Sequence, residues 1–310
     1  MSTRRDFLQK LLITGSLLSV NESFANKLVR KNEITKISIL HTNDVHSHVE
    51  SFPENHRKYP GQGGASKRFS LIQKLRKENP NTLLLDSGDI FQGTPYFNMY
   101  GGELELKLMS KMGYDASTMG NHDFDNGMDG FLKVKHHAKF PFICSNYDFS
   151  DTILNNQTIP FKIFYKDEIK IGVFGIGIEL EGLVDKKLFG KTKYQDPIEK
   201  TNYYATLLKE NHHCDLVICL SHLGYDYDSK KISDSILATQ TKNVDLILGG
   251  HTHTFLKKAT EFNNLENKKV LVNQVGWAGL CLGKVDFYFE KRKKKKINIK
   301  QSSDDYLNVK

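Results

Sequence analysis

Cysteine is scarce in this chain. There are four in 310 residues, Cys144, Cys214, Cys219 and Cys281, and none is spaced as CxxC. Cys214 and Cys219 flank one apolar run. If that run is extended they lie roughly 16 Å apart, too far for a disulfide bridge. All four read as small, buried apolar residues, with a pair joined through tertiary contact as the alternative. No internal repeat is evident, and nothing around the basic run at 291–296 resembles a named nucleic-acid-binding module. What is present is ordinary for a soluble globular protein: 39% hydrophobic and 26% charged residues. The length is ample for a sizeable core in one or two domains. A formal charge of +8 favours an anionic partner. A phosphate ester, a nucleic acid and a membrane surface all satisfy that condition.

The amino terminus reads as an address. STRRDFLQK at 2–10 precedes a moderately apolar run, LLITGSLLSV at 11–20. Ser23 and Ala25 then offer small residues at the two key positions of a cleavage site. Arg4 and Arg5 before Asp6, Phe7 and Leu8 resemble the twin-arginine export signal. The apolar run is too short for a permanent bilayer anchor. Residues 1–25 are therefore expected to be a removable signal, and the mature protein periplasmic or otherwise exported. The bland alternative is a ragged amphipathic helix.

Apolar runs then alternate with helical patterns. KISIL at 36–40, TLLLD at 82–86, a short DASTMG at 115–120 and PFICS at 141–145 read as strands. So do FKIFY at 161–165, KIGVFGIG at 170–177, DLVICL at 215–220 and VDLILGG at 244–250. Residues 66–77, with Phe69, Ile72 and Leu75 at helical spacing, read as a helix before Pro80. Residues 103–112, 128–137 and 197–210 also read as helices, the last opening on a first-turn proline. Continuous apolar strands are the kind covered on both faces, and their order implies βαβ units. KVLVNQ and LGKVDFYFE near the C-terminus are further strands. The one charge run, KRKKKK at 291–296, reads as a solvated hairpin tip. The alternative is a docking patch for an acidic partner or a membrane.

Five short blocks hold most of the chemistry. They are HTNDVH at 41–46, DSGD at 86–89, GNHDFD at 120–125, SHLG at 221–224 and GGHTH at 249–253. Each follows a predicted strand. A lone DxH or HxH pair is more often a surface or core pair than a ligand. Five blocks at five strand ends are a different matter. Together they offer Asp44, His46, Asp89, Asn121, His222, His251 and His253, enough donors for two metal ions sharing a carboxylate. Asp44 and His46 are two residues apart, as are His251 and His253; on an extended segment such pairs point to one side. The set contains no thiolate, which favours Mn²⁺, Fe²⁺ or Zn²⁺ without separating them. Asp123 is expected to brace its loop through backbone hydrogen bonds. His41 is expected to pack near the strand end.

ILHTNDVHSH, LLLDSGDIFQGTP, MGNHDFDNG, SHLG and GGHTH resemble the motifs of the calcineurin-like metallophosphoesterases. GGASKRFSLIQKLR and the block spacing resemble the 5′-nucleotidase branch. The resemblance runs from about residue 36 to 290. It implies an α/β fold, a two-sheet β-sandwich flanked by helices in four α/β/β/α layers, forming one domain over 26–310. It implies one metal on Asp44, His46, Asp89 and His253, and a second on Asp89, Asn121, His222 and His251, with Asp89 shared. The family's dyad falls on His122 and Asp125, with His122 as charge stabiliser or general acid and Asp125 orienting it. The implied activity is hydrolysis of a phosphate ester by metal-bound hydroxide. The alternatives on the same scaffold are a 2′,3′-cyclic phosphodiesterase, a thiosulfohydrolase and a non-catalytic metal-binding subunit.

Full-length 5′-nucleotidases resemble this chain only in their first half. Their second domain stacks on the base and contacts phosphate. The expectation is that this polypeptide carries no C-terminal nucleotide-specificity domain. A separate chain would then supply it, or the enzyme would act on other phosphate esters with loose selectivity, or the metal domain would have been repurposed. Neither a nucleic-acid partner nor a stable membrane span after signal cleavage is expected.

Overall fold

A computed structural model describes residues 34–290, 295–298 and 306–310. The expected signal at 1–25 and most of the basic run, 291–294, lie outside the described residues. Among the described residues, no helix is long and apolar enough to cross a membrane.

The strands alternate their side chains between two faces, and the alternation produces the layers. In β1 (Ile34–Thr42), Ile37 and Ile39 face one way and Leu40 the other. In β2 (Thr82–Asp86), Leu83 and Leu85 oppose Leu84 in the same manner. The first sheet pairs β1 with β2 and β2 with β3 (Ala116–Ser117) in parallel. The second sheet contains β4 (Phe161–Lys166), β5 (Ile169–Ile176), β6 (Leu216–Ser221) and β7 (Leu246–Leu248). Strands β5, β6 and β7 run parallel, and β4 is antiparallel to β5. Strand β8 (Thr260–Asn263) closes that sheet's far edge, outside β9 (Lys269–Asn273). The long β10 (Cys281–Glu290) lies antiparallel to β1. Short strands at 295–298 and 306–308 pair with β10.

Ile37, Ile39, Leu83 and Leu85 from the first sheet meet Ile171, Val173, Leu216, Ile218, Leu246 and Leu248 from the second in one buried cluster. The outer face of the first sheet packs on α1 (Ala65–Glu78), α2 (Glu103–Met112) and α3 (Gly127–Lys135) through Ile72, Leu75, Leu106, Met109 and Phe131. The outer face of the second packs on α4 (Pro197–Thr206) and α5 (Asp234–Gln240) through Ala205, Leu237 and Ala238. The result is the expected α/β/β/α order. All four cysteines are free and buried, as their apolar reading required.

Two segments depart from expectation. PFICS at 141–145 forms no regular strand. Its backbone groups are divided between single bridges: the Ile143 N–H donates to Ser117 O, Ile159 N–H donates to Phe142 O, and Ser145 N–H donates to Gly175 O. It therefore staples β3 of one sheet to β5 of the other. The staple needs glycine at 175, where a Cβ would stand 2.0 Å from Ile143 O. The helix expected over 197–210 forms, but its α-helical winding stops at Thr206. It then widens into a turn closed by His212 N–H donating to Leu207 O at 3.0 Å. The wider turn buries Leu208 completely, close above Gly172.

Candidate metal centre

The five blocks converge just past the C-terminal ends of β1, β2 and β3 in one sheet and of β6 and β7 in the other. Strand C-termini are where open α/β sheets gather their ligands. Ligand atoms of Asp44, His46 and His253 all lie within 4.8 Å of one another, and so do those of Asp89, His222 and His251. Asp89 faces both groups: its Oδ2 is 3.0 Å from His222 Nε2 and 3.8 Å from His46 Nε2. Asn121 Oδ1 lies 2.9 Å from His251 Nδ1. All seven expected donors are thus brought together.

The backbone achieves this differently from the expectation. Asp44, His46, Asp89, His251 and His253 all have positive φ, between 49° and 75°. Asp44 and His46 are not an extended i, i+2 pair, and nor are His251 and His253. Left-handed kinks turn each pair inward. For residues other than glycine such a conformation costs about 1–3 kcal/mol each, and it persists only where the surroundings hold it. Here they do. The His251 N–H donates to both Asp44 oxygens (2.9 and 3.0 Å). Asn43 Nδ2 donates to Asp44 Oδ2, and Ala278 N–H donates to Asp44 O. Gly120 leaves room for the centre, since a Cβ there would meet Asp89 Oδ1 at 2.2 Å and the His222 ring at 2.6 Å.

Asp123 performs the bracing role expected of it. Its buried carboxylate accepts the N–H groups of Asp89, Ile90, Phe91 and Gly120. It ties the DSGD loop to the GNHDFD loop. Burial and the nearby Asp89 charge push its pKa up to about 7. Removing the carboxylate orphans up to four donors, each worth about 1–3 kcal/mol when buried unpaired. Asp123→Ala should lower the unfolding free energy by roughly 3–4 kcal/mol in denaturant titration, and Asp123→Asn by less. A loss below about 1 kcal/mol for the alanine variant would show that the clamp is dispensable.

The electrostatics suit cations. Burial disfavours ionised Asp89, yet the charges of His222 and His46 outweigh it and hold the carboxyl below its ordinary range. Burial disfavours imidazolium at His222, but Asp89 and Asp44 overcome it and raise its pKa to about 10. Two buried carboxylates here thus attract positive charge strongly. His46 and His251 are pushed down by burial, His251 to about 4, so both are neutral imidazoles with a lone pair to give. His222 donates Nδ1–H to Ser87 O at 2.7 Å, which leaves Nε2 as its donor atom to a metal. That Nε2 is buried and has no properly directed hydrogen bond, although it lies close to Asp89. The oxygen and imidazole set fits two divalent ions, one of which would take the place of the proton that Asp89 and Asp44 draw onto His222.

His122 and Asp125 stand at the open edge. His122 Nδ1 is 2.7 Å from Asp125 Oδ2, and the His122 backbone N–H donates to Asp89 Oδ1 at 2.8 Å. The hydrogen bond to Asp125 raises the His122 pKa above its ordinary value; burial opposes this and the Asp89 charge adds to it. His41 packs as expected, fully buried at the end of β1. Sequence reasoning overlooked Asn43, which also bonds Gly276 O and the Val275 N–H, and Trp277, stacked on His253. Asn43 lies inside the HTNDVH block, so a signal was present; nothing marked Trp277.

The sequence matches the calcineurin-like phosphoesterase family over residues 37–255. The chain belongs to that family, whose members use divalent metals to hydrolyse phosphate esters. Within it the similarity runs to 5′-nucleotidases. The chain is 35% identical over 228 residues to a snake venom 5′-nucleotidase of Crotalus adamanteus, covering 71% of this chain and 37% of that one. It is 30% identical over 295 residues to a trifunctional nucleotide phosphoesterase of Bacillus subtilis, covering 84% of this chain and 19% of that one. Among solved structures, a 5′-nucleotidase precursor from Thermus thermophilus superposes with a TM-score of 0.79 at 27% identity, over 88% of this chain and 54% of that one. The chain thus spans well under two thirds of the length of these relatives.

Proposed function

We propose that the protein is an exported, dinuclear metal-dependent phosphohydrolase of 5′-nucleotidase type, acting on nucleotides or related phosphate monoesters. The observation that carries this reading is the position of Asp89, whose one carboxylate faces both donor groups, with the His122–Asp125 pair beside it. Asp44, His46, Asp89 and His253 would hold one ion, and Asp89, Asn121, His222 and His251 the other. When bound, two such ions supply Lewis acidity and make a water acidic enough to serve as nucleophile near neutral pH.

The chain's own residues supply the rest. Asn121 offers a side-chain amide beside His251 that can help hold a phosphate oxygen. His122, with Nδ1 taken by Asp125, has Nε2 left to donate. It stabilises charge on the phosphoryl group or protonates the departing alcohol. Asp125 fixes the ring and favours its charged form. The His122 side chain is 36% exposed and that of His253 40%, so a substrate can approach from this edge.

The venom protein among the relatives suits export, and the twin-arginine segment at 1–25 is the proposed route. The metallophosphoesterase domain, proposed over 26–310, would carry the metal centre. The test is turnover by the mature chain loaded with Mn²⁺ or Zn²⁺ on AMP, a UDP-sugar, cyclic nucleotides, an aryl phosphate and a thiosulfate conjugate. Phosphate release from monoesters is the expected result. No turnover of any phosphate ester with both ions bound would overturn the reading.

A further inference from the structure

The rings at the metal centre form a row that does not stop at the metal ligands. His122 lies edge-on to His46, with centroids 5.2 Å apart, and His46 edge-on to His253 at 5.0 Å. Trp277 then lies parallel to His253, 5.7 Å away with 8° between the planes. His48 and Phe52 meet the indole edge-on, at 5.3 and 6.1 Å. Trp277 is the only tryptophan in the chain, and it is half-buried.

Its position is built at a cost. Asn43 clamps the preceding residues: Nδ2 donates to Gly276 O at 2.6 Å, and Oδ1 accepts the Val275 N–H at 2.9 Å. On the other side the Ala278 N–H donates to Asp44 O at 2.7 Å. Ala278 is held at φ 57°, a conformation alanine adopts only under constraint. A core role does not call for this. Val275, Ala278, Leu280 and Cys281 already form the buried cluster beneath, and the indole sits at its margin. The clamp joins Trp277 to the same backbone that carries Asp44, so the ring keeps a fixed distance from the metal centre.

A half-buried indole, held one ring beyond a proposed metal ligand, offers the part that His253 leaves uncovered as a stacking surface. We infer that Trp277 is a specificity residue: its indole stacks on the planar aromatic ring, a nucleobase or an aryl group, that the departing alcohol carries in a substrate whose phosphate lies at the metal centre. The inference rests on the phosphohydrolase reading above and narrows it. It places part of the ring selectivity beside the metal centre itself. Ring stacking of this kind tolerates different bases, since every base has a π-face.

AMP and ribose 5-phosphate share the phosphate and the sugar and differ at C1, where the base gives way to a hydroxyl, and so isolate the ring contact. Trp277→Ala should raise KM for AMP roughly 10- to 100-fold with kcat little changed, the mark of lost uniform binding. KM for ribose 5-phosphate should change less than about twofold. Trp277→Phe should recover most of the AMP affinity, and metal content should match the parent in both variants. As the sole tryptophan, residue 277 also reports directly: adenosine should quench the emission of the metal-loaded protein, and ribose 5-phosphate should not. Equal losses on AMP and ribose 5-phosphate would overturn the inference in favour of a ring that merely positions His253. Unchanged KM values without quenching would overturn it outright. Failure to turn over any phosphate ester would defeat the phosphohydrolase reading instead, and the adenosine titration would still decide the role of Trp277.

Discussion

Asp89→Asn should all but abolish phosphate release and leave the chain unable to hold two ions together. The substitution keeps the shape and removes one negative charge from the point where the two donor groups meet. Asp89 Oδ2 lies within 3.0 Å of His222 and 3.8 Å of His46, so both halves of the centre lose the same partner. Metal-assisted charge stabilisation is worth several kcal/mol in a phosphoryl transition state, and about 4 kcal/mol is a thousandfold in rate. A loss of roughly 10³-fold or more in kcat/KM is therefore expected. Metal affinity should fall beyond the roughly 10- to 100-fold that outer partners of a metal ligand command. Retention of both ions and of more than about a tenth of the activity would show that Asp89 does not join them.

His122→Ala should behave differently, and the contrast separates chemistry from metal binding. His122 is absent from both donor clusters. Its loss should lower kcat by roughly 10²–10⁴-fold, the usual worth of a positioned proton donor, with both ions still bound. Unchanged activity would remove it from the mechanism. The pH profile gives the sign. The Asp125 hydrogen bond is the largest influence raising the His122 pKa. His122 is charged below that pKa, so the donor form persists to higher pH in the parent than an ordinary histidine would allow. Asp125→Asn lowers the His122 pKa, and the alkaline limb of kcat should move to lower pH. If the limb stays in place, another group sets it.

How much of this could be read beforehand depends on what each feature needs. Cover on both faces of the central strands was legible because runs such as DLVICL and VDLILGG leave no polar face for water. The four-layer order came from the resemblance to the metallophosphoesterases, and the structure shows it where Leu83 and Leu85 face one cluster and Leu84 the other. The donors were legible because residue type carries ligand chemistry and each block follows an apolar run. The backbone beneath them was not. Positive φ at Asp44, His46, His251 and His253 is imposed by tertiary hydrogen bonds, such as His251 N–H to Asp44, that join residues more than two hundred positions apart. Local propensity has no access to those. PFICS reads as a strand by composition, but bridges from Ser117, Ile159 and Gly175 divide its hydrogen bonds. Trp277 carried no local signal either, because its meaning comes from His253, His48 and Asn43, all distant in sequence.

The central claim is that one shared carboxylate holds two ions and that both are needed for phosphate ester hydrolysis. Metal-stripped mature protein should be titrated with Mn²⁺ or Zn²⁺ while bound metal per chain and release of phosphate from AMP or an aryl phosphate are followed together. Activity should stay low through the first equivalent and rise with the second, reaching a plateau at two ions per chain. Full activity at one ion per chain, or undiminished activity after complete chelation, would contradict it.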